Sequence, residues 1–538
     1  MLGLMQDWPL TTDRIVAHAA RWYGESEVVW RGGDGLLRRH TYAEIRAGAA
    51  RLTNALRAFG IVPGDRIATL AMNGVEHLEA WYAITGMGAV CHSLNPRLFS
   101  EQIAWIINHA EDRLIFADAA FSDLVAKILP GCPTVERVIF IDGDPEVVAS
   151  DWSTLAAFRE GQSEDCAWGG FDELTAAGLC YTSGTTGDPK GVLYSHRSNF
   201  LHTLTTVQPD VFNISMRDSV LAVVPMYHAN AWALTYAAPL VGAKLVLPGP
   251  RLDSESILDL MDREQVTVTA GVPTVWLSLL QYLEQTGRRP ATLERVIVGG
   301  AACPETLLRG FAELDIEVVT AWGMTELSPV GGVGVMTPAV LRLPFEEQIP
   351  VRLKQGRSPC GVEIKLVGDD GKGVPHDGRS AGVLRVRGPA VASGYYRLDR
   401  PVLDEDGFFD TGDIATIDPQ GFMRITDRVK DIIKSGGEWI SSIDVENAAT
   451  DHPAVAIAAV IAVPHERWGE RPRLCVELKP NQAASADELL DFLRPKLARW
   501  WLPDEVIFFD RMPVGATGKI DKKALRLQFL EKAVSAAA

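Results

Sequence analysis

The sequence predicts an α/β protein: a large N-terminal part, then a small α+β domain. Three observations predict it. Apolar strand-length runs alternate with amphipathic helical stretches over the first 170 residues, and the pattern recurs between 266 and 314. From about Gly361 the pattern changes to period-two strands bounded by turns. A further break at 427–430 precedes a mixed segment of about 110 residues. Domains are therefore expected at 1–426 and 431–538, joined at 427–430.

The elements follow in order. Tyr42–Phe59 carries Ile45, Ala49, Leu52, Leu56 and Phe59 on one stripe, as an amphipathic helix does. Gly60 and Pro63-Gly64-Asp65 end it, and residues 66–71 read as a buried strand. Val75–Gly86 reads as the next helix and 89–93 as the next strand. The same alternation returns at 266–270 with 275–283, and at Arg295–Val298 with 305–314. Such alternation implies a sheet covered on both faces. Residues 362–367 and Gly382–Arg387 read as strands of a smaller β part, with Asp369-Asp370-Gly371 and Asp406-Gly407 as turns. Residues 443–449, 455–463, 475–479 and 486–497 suggest the final α+β domain.

Composition narrows the function. The chain has 538 residues, 47% hydrophobic and 22% charged, a globular balance. A single core rarely exceeds about 250–300 residues, so two or more domains are required. Lys+Arg number 52 against 69 Asp+Glu, a net charge of −17, which argues against nucleic acid as the main partner. The seven cysteines are scattered, Cys166 and Cys180 being closest at 14 residues apart. No Cys-x-x-Cys exists, and a reducing cytoplasm is expected. Met1 to Leu10 holds Asp7 and Pro9 and no apolar run, so no signal peptide is expected. Residues 219–243 carry no Asp, Glu, Lys or Arg, but Pro225, His228, Asn230 and Pro239 interrupt them. They read as buried strand, loop and helix, with no stable membrane insertion.

The most informative segment runs from Leu179 to His196. Thr182, Ser183, Gly184, Thr185, Thr186, Gly187 and Lys190 lie between apolar flanks. Backbone N–H groups, hydroxyls and one ammonium together suit phosphate oxygens. It is not a Walker A loop, because Lys190 follows Gly187 by three. Further motifs follow: Pro225-Met-Tyr-His228, Gly299-Gly-Ala-Ala-Cys-Pro304, Ala321-Trp-Gly-Met-Thr-Glu326, Thr411-Gly-Asp413, Asp427 to Glu438, and Ala516-Thr-Gly-Lys519.

In that order, and over roughly residues 25 to 530, these motifs resemble the adenylate-forming superfamily: acyl-CoA synthetases, peptide-synthetase adenylation domains and beetle luciferases. The resemblance implies two α/β sheets plus a small β-barrel-like part in the N-terminal domain, and a mobile C-terminal domain. It implies an ATP-dependent acid–thiol ligase that makes acyl-CoA through an acyl-adenylate, with ATP, Mg²⁺ and coenzyme A. It places Thr182 to Gly187, Lys190, Gly300, Ala301, Ala302, Trp322, Gly323, Met324, Thr325, Asp413 and Arg428 on the nucleotide. Asp413 would take the ribose hydroxyls. Thr325 and Glu326 would flank the phosphates, with Glu326 and Thr185 toward Mg²⁺. Trp322 stands where the family usually has Tyr, so it can stack on adenine but lacks the hydroxyl. His228 would border the acyl carboxylate, and Lys519 would bridge carboxylate and α-phosphate. Lys430 corresponds to the hinge. Ser435, Gly436, Gly437 and Glu438 would line the thiol channel.

In the family, the acyl group lies near residues that here are Trp232, Ala233, Tyr236, Val272, Thr274 and Trp276. They carry no charge, which favours a monocarboxylic acid with an apolar tail. The stretch His-Ala-Asn-Ala-Trp resembles medium- and long-chain fatty acyl-CoA ligases, and also ligases for short sulfur-containing acids such as methylmercaptopropionate. No Gly-Gly-x-Ser follows Lys519, so free coenzyme A is expected as acceptor, with a carrier protein in trans as the alternative. A homodimer is expected.

Overall fold

The structure, a computed structural model, describes all residues except 2, 144–151, 183–187, 436–437, 515–519 and 538; side chains are not described at 438 and 530–537. The alternating pattern forms two large sheets. The first has seven strands in the order Trp152–Thr154, Arg137–Asp142, Leu114–Asp118, Arg66–Leu70, Val90–Ser93, Ala176–Thr182 and Lys190–Ser195. All its neighbours are parallel except the last pair. The second has eight strands: Val330–Val333, Glu317–Gly323, Arg295–Val298, Val268–Gly271, Ser219–Ala222, Lys244–Leu247, Glu27–Arg31 and Leu37–Thr41. Its two edge pairs are antiparallel and the interior pairs parallel.

Parallel strands bury both faces, and Ile67, Ala68, Leu114, Ile115, Leu221 and Ile297 are fully buried accordingly. Helix Tyr42–Phe59 begins in a capping box. Thr41 Oγ1 accepts the Glu44 N–H at 3.2 Å, and the Glu44 carboxylate accepts the Thr41 N–H at 2.8 Å. It ends at Gly60, whose φ of 100° suits a residue without Cβ. Its stripe of Ile45, Ala49, Leu52 and Leu56 is fully buried. Burial of each larger member stabilises the fold by roughly 1.5–3 kcal/mol. Residues 219–243 form strand Ser219–Ala222, a turn at Ala229–Ala233 and helix Leu234–Val241. Among the described residues, no helix is long and apolar enough to cross a membrane.

The chain divides into two compact units. The first comprises Met1–Gly184, Asp188–Ile364 and Val386–Phe409, and holds both large sheets. The second includes Lys365–Arg385 and Asp410–Ala538. Two small sheets fall mainly there. One has four strands in the order Glu363–Val367, Gly382–Arg387, Phe409–Ile417 and Met423–Arg428. Its outer strands do not pair with each other among the described residues, so the sheet is open. The other runs Glu438–Ile440, Ile433–Ser435, Gly469–Leu478, Val455–His465, with Glu505–Phe509 also pairing Gly469–Leu478. Helices Ser442–Thr450 and Ala486–Leu493 cover it through Val445, Ala449, Leu489 and Leu493. Strand Gly469–Leu478 starts six residues before the expected 475. Glu470, Arg471 and Arg473 mask the apolar pattern, yet the long hairpin from Val455↔Leu478 to His465↔Gly469 recruits them.

In the first unit, helix His196–Thr206 places His202 beneath strand Val330–Val333. Its Nε2 accepts the Val330 N–H at 3.0 Å. Burial pushes the imidazole pKa down to about 3, so the ring is neutral in the fold. Only the unfolded chain takes up a proton near pH 6.5, so this group costs stability as pH falls below that value. His202→Gln is therefore expected to lose less stability than the parent between pH 7 and 5. The gap, read from urea midpoints, should be about 2 kcal/mol; equal losses would refute the assignment.

Candidate functional site

In the first unit, strands Ala176–Thr182 and Lys190–Ser195 pair antiparallel, with Thr182 opposite Lys190. They flank the glycine- and hydroxyl-rich segment. Ser183, Gly184, Thr185, Thr186 and Gly187 lie outside the described residues. The Thr182 hydroxyl donates to the Lys190 carbonyl at 3.5 Å. The Lys190 ammonium lies 5.0 Å from the centre of the Tyr395 ring.

Strand Glu317–Gly323 leads directly into a single 3₁₀ turn, Thr325–Leu327. Glu326 there is buried, and its Oε1 accepts the Tyr395 hydroxyl at 2.7 Å. The Glu326 carbonyl accepts the Ala392 N–H at 2.8 Å, and the Thr325 carbonyl accepts the Tyr194 hydroxyl at 2.7 Å. Burial raises the pKa of both phenols, and the Glu326 carboxylate adds to this at Tyr395, so both remain donors at neutral pH. Among the described residues, no three His, Cys, Asp or Glu gather to hold a metal. A single buried carboxylate suits Mg²⁺, which takes one or two carboxylates and completes its shell with phosphate oxygens and water.

Trp322 is buried, with its ring against Gly331. A Cβ on Gly331 would stand 2.4 Å from the ring, so glycine is what lets the indole lie there. Gly323 and Met324 carry the chain from this ring to Thr325. Gly300, Ala301 and Ala302 are exposed after strand Arg295–Val298. Gly300 has φ of 79°, a left-handed conformation open to glycine.

The same loop meets part of the expected acyl lining. A Cβ on Gly299 would stand 2.9 Å from both the Trp232 ring and the Ala321 carbonyl. One on Gly300 would stand 3.1 Å from Val272 and 3.7 Å from Trp232. Trp232, Val272, Ala321 and these two glycines are thus brought together. Thr274 is exposed at the start of helix Pro273–Thr286. Tyr236 and Trp276 lie in core. The Tyr236 hydroxyl accepts the Trp81 indole N–H, and its ring meets Trp81 and Tyr82 edge-on. Trp276 packs with Leu221, Val246 and Leu279.

His228 is exposed, its ring 5.2 Å from that of the buried Tyr227. The five residues after it, Ala229 to Ala233, all have φ between 39° and 67°. Left-handed backbone costs about 1–2 kcal/mol per residue without glycine. The turn is held by Ala231 N–H to the His228 carbonyl at 3.0 Å and by Asn230 Nδ2 to Asn199 Oδ1 at 3.1 Å. No glycine marks this turn in the sequence, so its conformation could not be foreseen. Tyr395 and Tyr194 were also missed; the only signal for Tyr395 was Gly394-Tyr395-Tyr396 shortly after a period-two strand.

In the second unit, Asp413 and Arg428 are paired across neighbouring strands, with Nε to Oδ1 at 2.8 Å. Asp413 is buried and Arg428 exposed. Asp427 is fully buried, accepting the Arg428 N–H at 2.7 Å and the Ser442 N–H and hydroxyl. Burial raises its pKa to about 6, against the opposing charge of Lys522. Lys430 is exposed, and its carbonyl accepts from Arg526, which also pairs with Asp431 at 2.7 Å. Ser435 is buried and pairs in register with Glu438. Gly436, Gly437 and Lys519 lie outside the described residues, as does the Glu438 side chain.

Comparison with known proteins identifies the family. The AMP-binding enzyme family model matches residues 16–396, and the AMP-binding enzyme C-terminal domain matches 444–519. A 3-methylmercaptopropionyl-CoA ligase of Ruegeria lacuscaerulensis is 47% identical over 98% of this chain and 99% of its own. A medium-chain-fatty-acid–CoA ligase of Ectopseudomonas oleovorans is 46% identical over 98% of each chain. The crystal structure of an anthranilate CoA ligase with anthranoyl-AMP shares the fold, with a TM-score of 0.86 at 23% identity over 98% of this chain and 100% of that one. The chain therefore belongs to the AMP-binding enzyme family, and within it to the AMP-forming acyl-CoA ligases.

Proposed function

We propose that the protein activates a monocarboxylic acid with an apolar tail, of medium to long chain. The substrate carboxylate oxygen attacks the α-phosphorus of ATP, the bond to the bridging oxygen breaks, and pyrophosphate leaves. The thiol of coenzyme A then attacks the acyl carbonyl, loses its proton, and AMP leaves. The observation that carries the substrate class is the wall of Trp232 and Val272 against Gly299 and Gly300, apolar and without a charged side chain.

Lys190 is assigned to the phosphates, Asp413 to the ribose hydroxyls with Arg428 beside it, and Trp322 to the adenine side. His228 borders the acyl carboxylate, and Lys519 bridges carboxylate and α-phosphate during adenylation. Glu326, with Thr185, would hold Mg²⁺, which neutralises phosphate charge when bound. The proposed domains 1–426 and 431–538 exchange surfaces by rotation at Lys430. Ser435 to Glu438 then admit the thiol in the second half-reaction. The protein is proposed to work as a cytoplasmic homodimer.

A second reading, a ligase for short thia acids, is favoured by the 47% identical relative and by the bulk of Trp232 against the glycines. A panel of acids from C2 to C18, with aryl and thia acids, ATP, Mg²⁺ and coenzyme A, separates the two. A maximum at C8 or longer supports the fatty-acid reading, and a maximum at the thia acids refutes it. Trp232→Ala is expected to shift the AMP-release profile toward longer acids by at least about tenfold in relative kcat/KM, since removing an indole opens a cavity worth roughly 3 kcal/mol or more. An unchanged profile would remove Trp232 from the acyl wall.

A further inference from the structure

We propose that Tyr395 is a positioning residue that holds the Glu326 carboxylate and the Lys190 ammonium at a set separation, so that magnesium and ATP meet a preformed pair. The proposal rests on the assignment of Glu326 and Lys190 above and adds the group that places them.

One side chain reaches both charges. The Tyr395 hydroxyl donates to Glu326 Oε1 at 2.7 Å, while its ring lies 5.0 Å from the Lys190 ammonium. A phenol on one carboxylate oxygen fixes the carboxylate plane and leaves the other oxygen for a cation. A ring face attracts an ammonium without neutralising it, so Lys190 keeps its full charge for phosphate. The short segment around Tyr395 is tied to the same two places by its backbone. Ala392 N–H bonds the Glu326 carbonyl at 2.8 Å, and Tyr396 N–H bonds the Gly191 carbonyl at 2.8 Å. The ring is braced edge-on by Phe409 at 6.2 Å and by Cys180, Val192 and Tyr194. Glu326 lies in the turn after a strand of the eight-stranded sheet and Lys190 begins a strand of the seven-stranded one, so nothing in either segment alone sets the distance between them.

The test is equilibrium binding of a non-reacting α,β-methylene ATP analogue to the full chain, by calorimetry, in Mg²⁺ and in EDTA. Tyr395→Phe keeps the ring and deletes the donor. It is expected to weaken binding about tenfold in Mg²⁺, as loss of a group orienting a metal ligand does, and by less than about twofold in EDTA. Tyr395→Leu also removes the seat for Lys190 and is expected to weaken binding under both conditions. Tyr395→Phe added to Glu326→Gln is expected to cause no further loss in Mg²⁺, because the hydroxyl acts through Glu326. Parent-like binding of Tyr395→Phe in Mg²⁺, or an equal loss with and without the metal, overturns the proposal. Failure of the underlying assignment looks different: Glu326→Gln alone would then keep the parent's gain in affinity from Mg²⁺.

Discussion

Lys519→Ala is expected to abolish acid-dependent pyrophosphate exchange, by on the order of 10²–10³-fold or more, while a preformed acyl-adenylate still reacts with coenzyme A. The attack on the α-phosphorus brings one anion onto another and leaves charge on the non-bridging oxygens and pyrophosphate. An ammonium touching both reactants offsets that repulsion in the transition state and aligns them. The thioester step has no such need, because its leaving group is AMP and its nucleophile is a thiol. The split between the two half-reactions is thus the diagnostic. Exchange near the parent rate, or equal loss of both steps, would remove Lys519 from the assignment.

Glu326→Gln is expected to lower adenylation on the order of 10²-fold and to raise the Mg²⁺ concentration needed for half-maximal exchange about tenfold or more. Glutamine keeps the shape and can still accept the Tyr395 hydroxyl through its carbonyl oxygen, so the fold should tolerate the change. It removes the negative charge a hard cation requires. Exchange measured across a Mg²⁺ series checks it; an unchanged midpoint would show that Glu326 does not serve the metal.

How much was legible varies with the kind of contact. Helix Tyr42–Phe59 was readable because its signals are local: the apolar stripe from Ile45 to Phe59 and the stop at Gly60. Strand Gly382–Arg387 and helix Val75–Gly86 were readable for the same reason. Strand Gly469–Leu478 extends beyond its apolar run, because its first residues are charged and gain their extended form from the partner hairpin strand. At the site, the motif residues Lys190, Glu326, Asp413 and Arg428 could be named from their neighbours in sequence. The left-handed turn at Ala229–Ala233 could not, since it contains no glycine and is held by Asn199, 31 residues from Asn230.

The sequence by itself determined the family and the α/β alternation, and it supplies the residues proposed for phosphate, ribose and metal, because each depends on short runs of neighbouring residues. Only the tertiary structure decided what surrounds those residues. It put Tyr236 and Trp276 into core, set Trp232 and Val272 against Gly299 and Gly300, and brought Tyr395 to Glu326 from 69 positions away. The physical reason is the same in each case. Burial and hydrogen bonding between distant segments depend on how sheets and helices pack, and no periodicity along one segment records its partner on another.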